Sequence, residues 1–170
     1  DLAIIMEDDA DFIIDDFIFV AKRLIKIIDQ RKPEVYLLTP VISYLKNNAK
    51  DLSEDYKIVK VIQSWDSSGY IINRESAKKM IKANSRSWFI ADDWVRYKRH
   101  GKVDIYSVIP TIIKQNLDIF DSNLMASRNQ AIKSRSLKYI LSRLSHKIIS
   151  DIKKYFWLIP FKGYIRNTDV

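Results

Sequence analysis

Leu2-Ala3-Ile4-Ile5-Met6-Glu7-Asp8-Asp9 decides how this chain reads: five apolar residues without a break, then three carboxylates. An unbroken apolar run of that length predicts a buried strand of an α/β sheet, apolar on both faces and in need of neighbouring strands. In open α/β sheets, ligands bind outside the carboxyl ends of the strands. Glu7, Asp8 and Asp9 therefore stand where a site is expected. Three adjacent negative charges repel one another unless a cation answers them. A divalent ion with oxygen ligands, Mn²⁺ or Mg²⁺, suits carboxylates and can bridge a diphosphate. Carboxylates ahead of a helix also serve the helix, through capping and the macrodipole. The pattern leaves both readings open, and they are compatible if Asp11 caps while Asp9 binds metal.

Outward from that stretch, Phe12, Phe17, Val20, Ala21, Leu24 and Ile28 recur at helical spacing. They predict a helix over roughly 12–30, capped by Asp11 and stopped before Pro33. Strands are expected at Val35–Leu38, Lys57–Ile62, Gly69–Asn73 and Val103–Ile109. The polar stretch 46–55 reads as a surface loop. A short helix over Glu75–Lys82 is expected to turn Ala77, Met80 and Ile81 inward. A second is expected over Asp92–His100, ended by Gly101 with His100 as a solvated residue beside it. Strands interleaved with helices in this order predict a mixed α/β sandwich.

Charge divides the chain. The net charge is +8, and residues 128–170 hold ten Lys/Arg against two acidic residues, which leaves 1–127 with 19 of each. The expected organisation is a neutral α/β body over 1–127 and a basic tail over 128–170. In the tail, Ile132, Leu137, Ile140, Leu141, Leu144, Ile148, Ile149 and Ile152 follow a helical period with Lys and Arg between them, ahead of the aromatic run Tyr155-Phe156-Trp157. Residues 128–162 suit the surface of an anionic membrane, or a helix packed on the body with only its polar face basic. A nucleic-acid partner is not expected, because the body is neutral and no recognition motif is present. Three glycines exclude Gly-rich phosphate loops, and the absence of Cys excludes thiolate chemistry and disulfides. The chain opens at Asp1 with no initiator Met, charged leader or cleavage site, which reads as a chain without a signal peptide whose upstream portion is missing.

Several segments resemble glycosyltransferase family 25, the bacterial lipooligosaccharide galactosyltransferases and their relatives. Ile5-Met6-Glu7-Asp8-Asp9-Ala10 is similar to that family's Leu-Glu-Asp-Asp-Ala segment. Gly69-Tyr70-Ile71-Ile72-Asn73-Arg74-Glu75-Ser76-Ala77-Lys78-Lys79-Met80 resembles its strand-then-helix segment, and Ile90-Ala91-Asp92-Asp93-Trp94 its Pro-Val-Asp segment. The strand ending at Pro110, followed by Asp121-Ser122, is a fourth match in order. The family's N-terminal portion has no counterpart here, and Asp66-Ser67 stands where the family usually has Gly-Thr.

The resemblance implies a GT-A-like mixed sheet flanked by helices, a UDP-sugar donor (UDP-galactose first) and a divalent metal. It implies Asp9 as the direct metal ligand, Glu7 on the ribose or on a metal-bound water, and Asp8 orienting its neighbours. Transfer with inversion needs a base for the acceptor hydroxyl, for which Asp92 and Asp93 are the candidates. Trp65 and Trp94 are candidates to stack on an acceptor sugar. The plainer readings are helix-start charge for Asp92-Asp93 and core packing for Trp94. The acceptor implied is a lipid-linked oligosaccharide at the inner face of the inner membrane, reached by a cytoplasmic, peripheral enzyme. Two other functions use the same features: a metal-dependent nuclease or phosphohydrolase, and a non-catalytic membrane-surface module.

Overall fold

The computed structural model describes residues 1–85, 90–115 and 164–166. The chain divides into two units, 1–116 with 163–170, and 117–162. Within the tail expected over 128–170, Tyr164–Arg166 form a strand that pairs with Ser43–Leu45 in the first unit. The amphipathic helix expected over 128–162 lies outside the described residues, as do Asp121-Ser122.

The first unit is a mixed α/β structure. Its elements are β1 (Leu2–Met6), β2 (Ala10–Phe12), α1 (Ile14–Ile27), β3 (Glu34–Leu37), β4 (Ser43–Asp51), β5 (Lys57–Gln63), β6 (Gly69–Asn73), α2 (Arg74–Ala83), α3 (Trp94–Arg96), β7 (Asp104–Ile109), β8 (Ile113–Gln115) and β9 (Tyr164–Arg166). Seven strands form one sheet in the order β1-β6-β3-β7-β5-β4-β9, and β2 pairs with β8 in a separate ribbon. Only β3 and β7 pair in parallel; the other neighbours are antiparallel. It follows that β1, β3 and β7 run the same way and deliver their carboxyl ends to one end of the sheet. The Ile109–Pro110 peptide at the end of β7 is cis.

Apolar side chains cover both faces of the sheet. On one face Val20, Ala21, Leu24 and Ile28 of the α1 segment meet Tyr36, Ile58, Ile71, Val108 and Ile113. On the other, Val35, Leu37, Val61, Ile72 and Ile105 pack with Trp94 and Tyr97, and Ala77, Met80 and Ala83 of α2 join them. The alternation along β3 and β6 separates the two sets, as a period of two requires.

Several expectations give way. The run at 2–6 is a strand, but an edge strand: Ile4 and Ile5 are 43% and 39% exposed. Five apolar residues read alike at the centre and at the margin of a sheet, and burial is decided by neighbours far away in sequence. Asp11 lies in β2 rather than capping α1, whose cap position is Ile13 with no side-chain bond. Asp15 and Asp16 in the first turn supply the favourable charge instead. Residues 46–51 belong to β4 rather than to a loop; they are polar because they are exposed, and the pairing with β5 slips between Leu45 and Lys50. Ile81 is exposed, and buried Ser76 takes the inward position, its hydroxyl donating to the Glu34 carbonyl at 2.8 Å. The helix at 92–100 begins at Trp94 and widens into a π turn over Tyr97–Gly101, and Lys102, not Gly101, takes the left-handed conformation with φ 53°.

The π turn brings Lys98 onto the sheet, where its Nζ donates to the Val61 carbonyl at 2.8 Å. Burial, and then the charge of Lys60, lower the Lys98 pKa to about 8. Between that value and the ordinary lysine range an unfolded chain holds a proton that the folded chain has released. Stability therefore rises with pH across that window. Tyr36, Tyr70 and Tyr106 are shifted upward, chiefly by burial, so they oppose the trend only where unfolded tyrosine ionises, near pH 10. Urea melts at about pH 8 and about pH 9.5 are expected to show higher stability at the upper pH, with the difference absent in Lys98→Met.

Candidate functional site

The site is built at the carboxyl end of β1. Glu7 N–H donates to the Ser68 carbonyl at 3.0 Å, which continues the β1–β6 ladder by one step. Ala10 N–H then donates to the Glu7 carbonyl at 3.3 Å, closing a turn over Glu7–Ala10. The three carboxylates therefore ride on a tight turn between β1 and β2. Within it Glu7 and Asp9 reach in different directions. Glu7 Oε1 accepts from Ser67 Oγ at 2.5 Å, and Asp9 Oδ2 accepts from Gln115 Nε2 at 2.6 Å. Asp8 is exposed and makes no side-chain bond among the described residues.

Two atoms here lack what buried polar groups ordinarily have. Asp9 Oδ1 is buried with no hydrogen-bond partner, and so is Thr39 Oγ1, at the carboxyl end of β3. Such groups cost about 1–3 kcal/mol each when left unsatisfied. Asp9 is thus held through one oxygen, while the other is buried without a partner.

The Gln115 contact depends on where β8 lies. Ile112 and Ile113 N–H both donate to the Leu38 carbonyl, tying the chain after β7 to the end of β3. Ile113 is fully buried over Gly69, where a Cβ would stand 2.3 Å from Ile113 Cδ1. Gly69 is therefore required by close approach of a neighbouring side chain. Gly69→Ala is expected to cost about 1–3 kcal/mol by overpacking. Adding Ile113→Val, which removes the colliding methyl, recovers part of the loss in denaturant melts.

The loop 64–68 faces the turn and is held from below. Asp66 Oδ1 accepts from the Ser68 N–H at 2.8 Å and the Ser68 hydroxyl at 2.7 Å. The Asp66 carbonyl accepts from the Trp94 indole N–H at 2.7 Å. Trp94 is 1% exposed and packs edge-on against Tyr70, ring centres 5.0 Å apart. This corrects the expectation that Trp94 offers a face to a sugar: it is a core residue that positions the loop. Trp65, in that loop, is 43% exposed and keeps a ring free to stack.

Asp92 and Asp93 divide in the same way. Asp93 is buried, accepts from Arg96 N–H at 3.1 Å as the helix cap and pairs with Arg96 Nε at 3.0 Å. Its carboxylate is engaged on both counts. Asp92 is partly exposed and its carboxylate makes no bond among the described residues. Tyr70, raised by burial first and by the Tyr97 and Glu7 charges after it, stays a protonated core phenol. His100 has partners of its own and is exposed. Sequence reading missed Gln115, Thr39 and the Ser67–Ser68 contacts. The Asp66-Ser67-Ser68 string carried an Asx-turn signal; Gln115 carried none.

Among the described residues, no three His, Asp or Glu side chains come together as a ready-made metal cage. No helix among them is long and apolar enough to cross a membrane. No family model, curated protein or solved structure matches the chain.

Proposed function

We propose that this chain forms part of a sugar-nucleotide glycosyltransferase. The reading is transfer of a hexose, galactose first, from a UDP-sugar to a lipid-linked oligosaccharide with Mn²⁺ or Mg²⁺. The observation that carries it is Asp9: a carboxylate anchored through Oδ2 and buried without a partner at Oδ1, at the carboxyl end of β1. Such ions are commonly held by one or two carboxylates, with water and substrate phosphates completing the shell. Asp9 fits as the direct ligand of such an ion, while Glu7, which turns toward Ser67, fits the ribose or a metal-bound water. When bound, the metal would neutralise charge on the departing diphosphate.

The chain's own residues have distinct tasks in this reading. Gln115 orients Asp9, and Ser67 orients Glu7 toward the ribose or a metal-bound water. Asp92 takes the acceptor hydroxyl proton in preference to Asp93, whose oxygens are engaged. Trp65 stacks on the acceptor sugar, and Trp94 supports the loop that carries it. The lipid-linked acceptor and the inner membrane face rest on the character of residues 128–162 and on the family resemblance.

Calorimetric titration of the full-length protein with UDP, UDP-galactose and UDP-glucose, with and without Mn²⁺, tests the reading. Donor and ion are expected to bind together and each poorly alone. Absence of any UDP-sugar binding in the presence of Mn²⁺ overturns it. Release of nucleotides from DNA, unaffected by UDP-sugars, would transfer the site to a nuclease.

A further inference from the structure

Exposed apolar surface is concentrated in one part of the sequence. Of ten large exposed apolar side chains among the described residues, seven lie between Ile4 and Ile27. Three of them belong to one stripe of α1: Ile14, Ile18 and Ile25 are 64%, 41% and 49% exposed. At 3.6 residues per turn they fall within about 40° of one another, beside the face that Val20, Ala21 and Leu24 bury in the core. The stripe borders Ala21, whose side chain is already buried in the core. A solvated helix ordinarily carries charge at the exposed positions of the stripe.

The charges bordering the stripe identify what covers it. On its outer margin lie Asp15 near the start of the helix and Lys22 and Lys26 toward its end, all three exposed. We propose that a second copy of this chain covers the stripe, the two α1 helices packing antiparallel about a two-fold axis. That axis keeps the outer margins of both helices on the same side of the contact. It sets Ile14 of one copy opposite Ile25 of the other and places each Asp15 between Lys22 and Lys26 of its counterpart. A parallel two-fold would carry the two outer margins to opposite sides of the contact, where Asp15 meets no lysine of its counterpart, so the charge order selects the antiparallel pairing. An anionic membrane would meet Asp15 together with the lysines and offers no group to pair with that carboxylate, which makes it the poorer match.

Sedimentation velocity of the 170-residue chain over a wide concentration range tests this, with circular dichroism to confirm that each variant folds. A reversible monomer–dimer equilibrium is expected. Ile18→Glu, at an exposed position, is expected to raise the dissociation constant by at least about tenfold. Asp15→Lys alone and the pair Lys22→Asp/Lys26→Asp are each expected to weaken the dimer, and the three changes together to restore it. A monomer at every concentration overturns the proposal. So does a dimer indifferent to Ile18→Glu, a failure of the combined charge reversal to restore association, or a monomer that binds anionic vesicles through the same stripe.

Discussion

Trp94→Ala is expected to lower the unfolding free energy by about 3–5 kcal/mol, the usual range for a fully buried large aromatic. The ring is 1% exposed and contacts Tyr70 and Tyr97, so the cavity opens at the centre of one face of the sheet rather than at its margin. Total stabilities of domains this size run to about 5–15 kcal/mol, so the loss is a large share of the whole. Urea melts measure it. Trp94→Phe separates the two tasks of the residue. It keeps most of the packing but removes the indole N–H that holds the Asp66 carbonyl. The cost should fall to about 1–3 kcal/mol, the penalty of a hydrogen-bond acceptor left unpaired. Amide exchange at Ser67 and Ser68 should nevertheless quicken, because the loop has lost its support. Unchanged exchange there would mean that the loop is held by Asp66 and Ser68 alone.

What was legible beforehand follows from how far each signal reaches along the chain. The strand Gly69–Asn73 and the helix after it were readable because every determinant is local. Asn73 accepts from Ser76 N–H as the cap at 2.9 Å, three residues ahead, and the apolar spacing of Ala77 and Met80 does the rest. The parallel pairing of β3 with β7 joins residues about seventy positions apart, and no local pattern announces it. β4 was hidden because composition reports exposure more faithfully than conformation, and an exposed strand is as polar as a loop. Ile4 and Ile5 show the opposite case: an apolar run need not be a buried one. At the site, the acidic turn was visible from its three consecutive carboxylates. The division of labour within it was not, since it depends on Ser67, sixty residues from Glu7, and Gln115, 106 residues from Asp9. The different places of Trp65 and Trp94 have the same origin. Two tryptophans of equal promise in sequence are separated only by which one the sheet covers.

Asp9→Ala offers the sharpest separation between a structural and a functional carboxylate. A structural Asp would stabilise the fold, and its removal would cost stability in proportion to the bonds lost. Asp9 makes one such bond, to Gln115, and leaves its second oxygen buried and unsatisfied. The gain of a hydrogen bond, about 1 kcal/mol, and the penalty of the orphaned oxygen, about 1–3 kcal/mol, oppose each other. The variant should therefore be as stable as the parent, or slightly more so, in urea melts without added metal. Donor binding should behave otherwise. Mn²⁺ and UDP-galactose together are expected to raise the melting temperature of the parent by mass action, and this shift should vanish in Asp9→Ala. Glu7→Gln, which keeps a partner for Ser67, should reduce the shift without abolishing it. Should Asp9→Ala prove strongly destabilising while leaving the ligand-induced shift intact, the carboxylate belongs to the scaffold and the donor site must be sought elsewhere on the sheet.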